Sequence, residues 1–437
     1  MLTTLKNAFK IKEIRVKLLY TLMMLVIIRL GCELPVPGVN RTYFAQWYAS
    51  QLGDSGILNA FTGGSFMNMS VFALNITPYI TSSIIMQLLT IAIPKLEEMQ
   101  KDGEEGRKKI ASITRYVTVG LALIESTAMS IGFGRSGLLQ QYNALNVITV
   151  IACLTAGSAI LMWFGERITE NGVGNGISIV LTINIISRIP ADMKSLYEQF
   201  VKDKSVGVGA LSALIIIAII LGMVVLVIVL NDGIRKIPVQ YAKKMQGRKM
   251  YGGQSTHIPL RINTAGVIPI IFASSIMQFP VIIWSMFNLD PGTGVWSHIL
   301  KALQSSYWFK AETPYYTFGL LLYVVLVIFF AYFYTAITFN PVIISDNLKK
   351  RGGFIPGVRP GRPTTEYLTN ILQYIIFIGA VGLFIVVTIP IVFNGIFGAS
   401  VTFAGTSLII IVSVVLEAIR QVETLMVERN YKGFLNS

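Results

Sequence analysis

Long charge-free runs set the pattern of this chain. Gly209 to Leu230, Ala265 to Leu289 and Thr317 to Ser345 contain no Asp, Glu, Lys or Arg. Each exceeds the roughly 20 apolar residues needed to cross a bilayer core, so each predicts a membrane-spanning helix. Extending the reading along the chain places ten spans, near 18–34, 75–94, 113–133, 146–165, 176–190, 209–231, 265–287, 317–338, 368–389 and 403–420. The last two share one charge-free stretch of 50 residues, Tyr367 to Leu416, that must be divided. Pro390, Asn394, Gly395 and Gly398 mark the expected turn.

Two spans depart from the pattern. The charge-free stretch from Ser55 to Pro94 is 40 residues long, and its first part, SGILNAFTGGSFMNMS, is rich in Gly, Ser, Thr and Asn. A re-entrant or broken segment is predicted there, because irregular backbone at membrane depth is tolerated only where protein or water surrounds it. The fifth span is short, since Arg188 limits its apolar part, which predicts a buried or cavity-lining helix. The expected fold class is an all-α polytopic membrane protein with about ten transmembrane helices.

Composition removes the soluble alternative. The chain is 53% apolar and only 13% charged, whereas a soluble protein carries about a quarter charged residues. The net charge of +14 would suggest nucleic acid in a soluble chain, but here the basic residues sit between apolar runs. With both ends on one side, the segments on that side hold 27 of the 36 Lys and Arg, the opposite side holds eight, and Arg29 lies within the first span. That asymmetry puts both termini in the cytoplasm, and Arg29 is expected to snorkel outward from its helix end. Residues 1–17, with Lys6, Lys10, Lys12, Arg15 and Lys17, are expected to form a basic amphipathic segment at the membrane surface. No small-residue cleavage pattern follows the run from Leu18, so it is expected to be a retained span and not a cleaved signal. Cys32 and Cys153 are expected to be packing residues.

Ten spans in two sets of five force the second set to start on the opposite side, so any internal repeat is inverted. In the second span Pro78 is followed by Ser82-Ser83-Ile84-Ile85-Met86-Gln87-Leu88; in the seventh, Pro269 is followed by Ser274-Ser275-Ile276-Met277-Gln278-Phe279. Chance similarity of apolar helices is the competing explanation, and the small polar residues would then be helix-packing positions. The expected organisation is a first half at 18–190, an external connector at 191–208, a second half at 209–420 with cytoplasmic loops 232–264 and 339–367, and a cytoplasmic tail at 421–437.

Catalytic chemistry finds little support. Gly53-Asp54-Ser55-Gly56 and Gly134-Arg135-Ser136-Gly137 copy local strings of serine proteases, but both fall in external loops. The only histidines, His257 and His298, belong to opposite sides, and a triad is recognised by geometry and not by four letters. The phosphate-cradling G-x-x-x-x-G-K-[ST] string does not occur, so nucleotide-driven work would come from a partner. No cofactor and no metal are implied. A secondary transporter of a small solute is the alternative class; it needs ionisable groups at mid-membrane, and Glu125, with Glu417 near a cytoplasmic end, is thin support. The cytoplasmic stretches Arg235 to Arg261 and Lys349 to Arg362 are more informative, combining basic clusters with Gly, Pro and aromatic residues. They are longer than simple connectors and would dock something acidic: a protein motor, an RNA backbone or lipid headgroups.

Several long motifs, in order, resemble one family. They are NITPYITSSIIMQLLTIAIPKLEEMQKDGEEGRKKI, GERITENGVGNGISI, YAKKMQGRKMYGGQSTHIPLRINTAGVIPIIFASSIMQFP, GGFIPGVRPGRPT and GTSLIIIV. They look like SecY, whose members form bacterial protein-translocation channels. The resemblance implies two inverted five-helix halves around a central pore, and a lateral gate between spans two and seven carrying Ser82, Ser83, Gln87, Ser274, Ser275, Gln278 and Phe279. It also implies a pore ring of Ile80, Ile84, Leu181, Ile185, Ile271 and Ile410, with Leu181 standing where isoleucine is common in the family. The broken segment becomes a plug at Leu58, Asn59, Ala60, Phe61, Thr62, Gly63, Gly64, Ser65 and Phe66. Arg248, Lys249 and Arg359 match positions that dock partners. The partners implied are SecE-like and SecG-like small membrane subunits, a SecA-like ATPase motor, the ribosome, the lipid bilayer, and secretory and membrane proteins bearing signal sequences. The implied location is the bacterial plasma membrane.

Overall fold

The computed structural model describes residues 9–52, 62–135, 137–202, 204–241, 244–246, 249–251, 255–264, 266–286, 294–304, 307–309, 314–397 and 406–435. Fourteen helices carry these residues in chain order. They are α1 (Lys12–Glu33), α2 (Arg41–Leu52), α3 (Thr77–Ala92), α4 (Pro94–Lys101), α5 (Glu104–Arg135), α6 (Ala144–Asn171) and α7 (Gly176–Phe200), then α8 (Val206–Asp232), α9 (Ile268–Met286), α10 (Val295–Leu303), α11 (Phe318–Thr338), α12 (Pro341–Lys350), α13 (Arg362–Phe397) and α14 (Thr406–Leu435). A helix lies on every expected span. Among the described residues six helices are long and apolar enough to cross a membrane, or seven if α3 and α4, bent by 101°, count as one broken span.

Two expectations need correction. The fifth span does not stop near Arg188: α7 runs to Phe200 through Pro190, and Arg188 is paired with Asp192 one turn on at 3.9 Å, largely shielded from solvent. The turn in the long apolar stretch does not fall at Pro390, Asn394 and Gly395, because α13 continues to Phe397; neighbouring elements compensate a proline inside a membrane helix. Arg29 does reach toward the end of α1 as expected, pairing with the exposed Glu33 one turn on at 3.9 Å.

The loops at 232–264 and 339–367 also contain strands that apolar periodicity did not suggest: β1 (Ile234–Tyr241), β2 (Lys244–Gln246), β3 (Lys249–Tyr251), β4 (Ser255–Arg261) and β5 (Gly353–Phe354). β1 pairs antiparallel with β4 from Ile234↔Arg261 to Gln240↔Ser255, and β5 adds to the other edge of β1 through Gln240↔Phe354.

The core has two membrane parts. A central cluster draws Ile28 from α1, Ile84 from α3, Ile185 from α7, Phe272 from α9, Phe330 from α11, Val386 from α13 and Ile410 from α14. A second cluster holds Phe44, Phe66, Met69, Phe133 and Leu154, with Phe133 edge-on to Phe44 at 4.9 Å. Residues 62–76, irregular as expected, are packed between helices: Val36 N donates to Met69 O at 3.0 Å and Val71 N to Leu34 O at 2.9 Å. Gly157 of α6 abuts the Val71 carbonyl so closely that a Cβ there would collide with it, whereas a Cβ at Gly222 of α8 meets nothing.

Gly157→Ala is expected to destabilise the protein by about 1–3 kcal/mol through overpacking, lowering its thermal unfolding midpoint in detergent. Gly222→Ala serves as the neutral control, and equal midpoints would show that α6 does not clasp the irregular segment.

Candidate functional site

α3 and α9 begin alike. Each starts one residue before a proline, Thr77-Pro78 and Ile268-Pro269, where the missing N–H is one the helix would not use. Counting from each proline, Ile80 and Ile271 stand two residues on, Ser83 and Ser274 five, Met86 and Met277 eight, and Gln87 and Gln278 nine. Both methionines are buried, at 4% and 3% exposure. The two helices touch each other, and both pack on α5.

The residues expected to ring a constriction come from four helices. Ile84 of α3, Ile185 of α7 and Ile410 of α14 are buried members of the central cluster, and Ile80 and Ile271 pack half-buried against it. Leu181, one turn before Ile185, is buried but is not a member of that cluster.

Of the expected plug, Leu58, Asn59, Ala60 and Phe61 lie outside the described residues. Thr62 and Ser65 are buried, Gly64 is half-buried, and Phe66 packs on Phe44 with ring centres 5.8 Å apart. Gly63 has a left-handed φ of +62°, and a Cβ there would sit 2.6 Å from the Asn184 carbonyl oxygen of α7. Asn184 is itself buried: its Nδ2 donates to Asn75 Oδ1 at 3.1 Å, and Cys32 Sγ lies 3.8 Å from its Oδ1. Asn75 (φ +52°) and Asn184 were missed by sequence reasoning. The available signal was an amide inside an apolar run, which must find a partner when buried.

The residues expected at the gate divide by their contacts. Ser82 Oγ donates to Thr114 O of α5 at 2.9 Å, and Ser274 Oγ sits 3.3 Å from Tyr323 Oη of α11, so both hold their helices to neighbours. Gln87 Oε1 and Gln278 Nε2 are buried without a hydrogen-bond partner among the described residues. Ser83 and Ser275 are half-buried, and Phe279 is 49% exposed. Glu125 is half-buried on α5. The two histidines sit on separate elements, His257 on β4 and His298 on α10 beside Tyr316 Oη at 2.8 Å. Gly53 to Gly56 and Ser136 are outside the described residues.

The two basic loops form one surface. β5 joins the stretch carrying Arg359 to the β1–β4 hairpin. Beneath the sheet, Ile237, Val239, Leu260, Leu348 and Ile355 form a cluster with Leu368 and Leu372 of α13. Ser345 Oγ donates to Gly361 O at 2.9 Å and Thr364 Oγ1 to Arg359 O at 2.8 Å, which fixes the loop after β5. Arg235, Lys236, Arg261, Lys349, Lys350, Arg351 and Arg359 are exposed. Among the described residues none of them has an acidic partner within ion-pair distance. Arg248 is outside the described residues, and Lys249 lies on β3, where only the backbone is described.

Known proteins resemble the chain along its whole length. The family model described as SecY matches residues 70–419. The protein translocase subunit SecY of Streptomyces coelicolor is 42% identical over 451 residues, covering 100% of both chains. A solved protein-conducting channel aligns with TM-score 0.62 at 17% identity, covering 94% of this chain and 92% of that one. A SecY structure whose plug domain is described as stabilising the closed state aligns with TM-score 0.61 at 18% identity, with the same coverage.

The contact of Gly63 with α7 has a direct chemical readout, because Cys32 is only 1% exposed. In a Cys153→Ala background, Gly63→Ala is expected to speed the reaction of Cys32 with a maleimide severalfold. Gly64→Ala, which carries the same left-handed strain (φ +85°) but meets no neighbour, leaves the rate near that of the parent. Equal rates in the two variants would remove the contact from the argument.

Proposed function

Because the chain belongs to the SecY family, we propose that it passes unfolded polypeptide across the bacterial plasma membrane through an aliphatic constriction and releases hydrophobic segments sideways between α3 and α9. It is the pore-forming subunit of a protein-conducting channel, and not an enzyme. The observation that carries the ring is the meeting of Ile80, Ile84, Ile185, Ile271 and Ile410 from four helices in or against one hydrophobic cluster. Leu181 completes the set from the same face of α7 as Ile185.

The chemistry of such a ring suits the task. An aliphatic constriction resists wetting and so blocks ions at rest. It offers a passing chain no directional contact and therefore no sequence preference. Selection then falls to the gate: a leucine gains a few tenths of a kcal/mol by leaving for lipid, and a central charge costs about 2.5–3.5 kcal/mol. The unpartnered amides of Gln87 and Gln278 support the gate, since a buried polar group without a partner favours the state in which water or substrate reaches it. Leu58 to Phe66 is the plug, held through Gly63 against α7.

Arg359, with Arg248 and Lys249, belongs to the docking surface for a SecA-like ATPase motor and the ribosome, whose acidic or phosphate groups these cations would attract. SecE-like and SecG-like subunits complete the complex. The arginine and lysine asymmetry supports cytoplasmic termini, and the five spans of each half then run in opposite directions around the pore.

The closed state loses about 1–3 kcal/mol for each buried aliphatic group exchanged for a polar one. Ile80→Ser with Ile410→Ser is therefore expected to raise single-channel ion leak; a variant as tight as the parent overturns the ring. Glu125→Gln is expected to leave secretion intact, whereas abolition of ion-coupled solute uptake in liposomes would favour a secondary transporter.

A further inference from the structure

We infer that a buried asparagine pair at the cytoplasmic root of α9 is the clamp through which the basic platform acts on the gate helix. The inference rests on the proposed gate and docking surface. Asn231 on α8 and Asn263, between β4 and α9, are each 7% exposed. Asn263 Nδ2 donates to Asn231 Oδ1 at 2.9 Å, and Asn231 Nδ2 donates to Ser413 Oγ of α14 at 2.8 Å. Arg420, about two turns along α14, donates to the Asn231 carbonyl oxygen at 3.1 Å and pairs with Asp232. One chain of hydrogen bonds thus joins α8, the root of α9 and α14.

The hairpin closes at the same place. Ile262 N donates to Gly233 O at 2.8 Å, extending the β1–β4 ladder past Ile234↔Arg261. From α13, Gly379 abuts the Ile262 carbonyl so tightly that a Cβ there would collide with it. Asn263 and Ile262 are therefore held directly by α8 and α13, and by α14 through Asn231, and α9 begins at Ile268, only a few residues on.

A greasy contact would pack this site without the desolvation cost of two amides. What paired amides add is a fixed geometry. Displacement of the sheet by a docked partner reaches Ile262 and Asn263 through the β1–β4 ladder, and the clamp makes that point the fulcrum about which α9 turns against α3. Asn231, Asn263 and Ser413 are positioning residues; they act on the pore only through α9.

Two variants separate coupling from folding. Asn263→Leu breaks the chain at similar volume. Asn231→Asp keeps an acceptor for Asn263 and for the Ser413 hydroxyl, with Arg420 beside the new charge. Nitroxide labels on cysteines placed at the exposed Leu88 of α3 and Ile276 of α9 report the gate in full-length, otherwise cysteine-free channel in proteoliposomes. The stimuli are a SecA-type ATPase with ATP and, separately, a synthetic signal peptide. The motor should widen the gate in the parent and in Asn231→Asp, and the widened fraction should fall about fivefold or more in Asn263→Leu, the scale of a typical coupling energy. Motor binding and peptide-driven widening should stay at parental levels. Should Asn263→Leu not fold, Ser413→Ala, which removes only the outer bond, must show a smaller loss in the same direction. Parental motor-driven widening in these variants overturns the clamp, and so does a parallel loss of peptide-driven widening, which marks a merely structural role. A motor that binds but does not widen even the parent gate also overturns the clamp and leaves the docking reading standing, whereas a motor that does not bind the parent removes the docking reading on which the clamp depends.

Discussion

The constraint on which this fold depends is that lipid offers no hydrogen bonds to a backbone. Residues 62–76 are not helical across most of their length, so every N–H and C=O there must be answered by protein. The end of α1 answers part of it, through Val36 to Met69 and Val71 to Leu34, and tight turns such as Ser70 to Ser65 answer more. Side chains tie the segment to α7 as well: Asn184 reaches the side chain of Asn75, and the absence of a side chain at Gly63 lets the segment lie on α7. The helices around this segment are thus arranged to provide polar partners from an otherwise apolar interior. A segment held by a few such bonds and a glycine contact is also one that can leave, because no continuous helix has to unwind.

Much of the architecture was legible because a bilayer imposes length and charge rules directly on the sequence. Charge-free runs located helices at all ten expected spans, and the polar, glycine-rich stretch from Ser55 announced the broken one. Helix ends were less legible. Arg188 resembles a terminator in a window of sequence, but Asp192 one turn later neutralises it inside the helix. Pro390 resembles a turn, yet α13 passes through it. The platform was invisible as structure, because its sheet pairs Gln240 with Phe354 across more than a hundred residues, and periodicity carries no information about partners so distant.

The functional residues follow the same division. An isoleucine that lines a constriction and one that fills a core have the same side chain and the same neighbours in sequence, so Ile84, Ile185 and Ile410 could be singled out only through resemblance. The register of the two gate helices is different: matching prolines at the first turn and matching Ile, Ser, Met and Gln positions place equivalent residues on equivalent faces of α3 and α9. Asn75, Asn184, Asn231 and Asn263 stood in plain view. Each is an amide in or beside an apolar run, and what the sequence lacked was the identity of the second amide.

These features assign tightness and selectivity to different chemistries. A seal must close around chains of every sequence, so it is made of aliphatic groups that reward contact of any kind and punish only water and ions. Such a surface cannot recognise a substrate. Recognition therefore belongs to groups with direction and charge, and those lie outside the aliphatic cluster: the exposed cations of the described basic surface, the unsatisfied amide atoms of Gln87 and Gln278, and the paired amides at the root of α9. On the proposed reading, keeping polar chemistry at the gate and its levers lets the state of the gate be altered without putting a charge in the ring. The energetic separation is what allows one chain to be both closed to ions and open to almost any polypeptide.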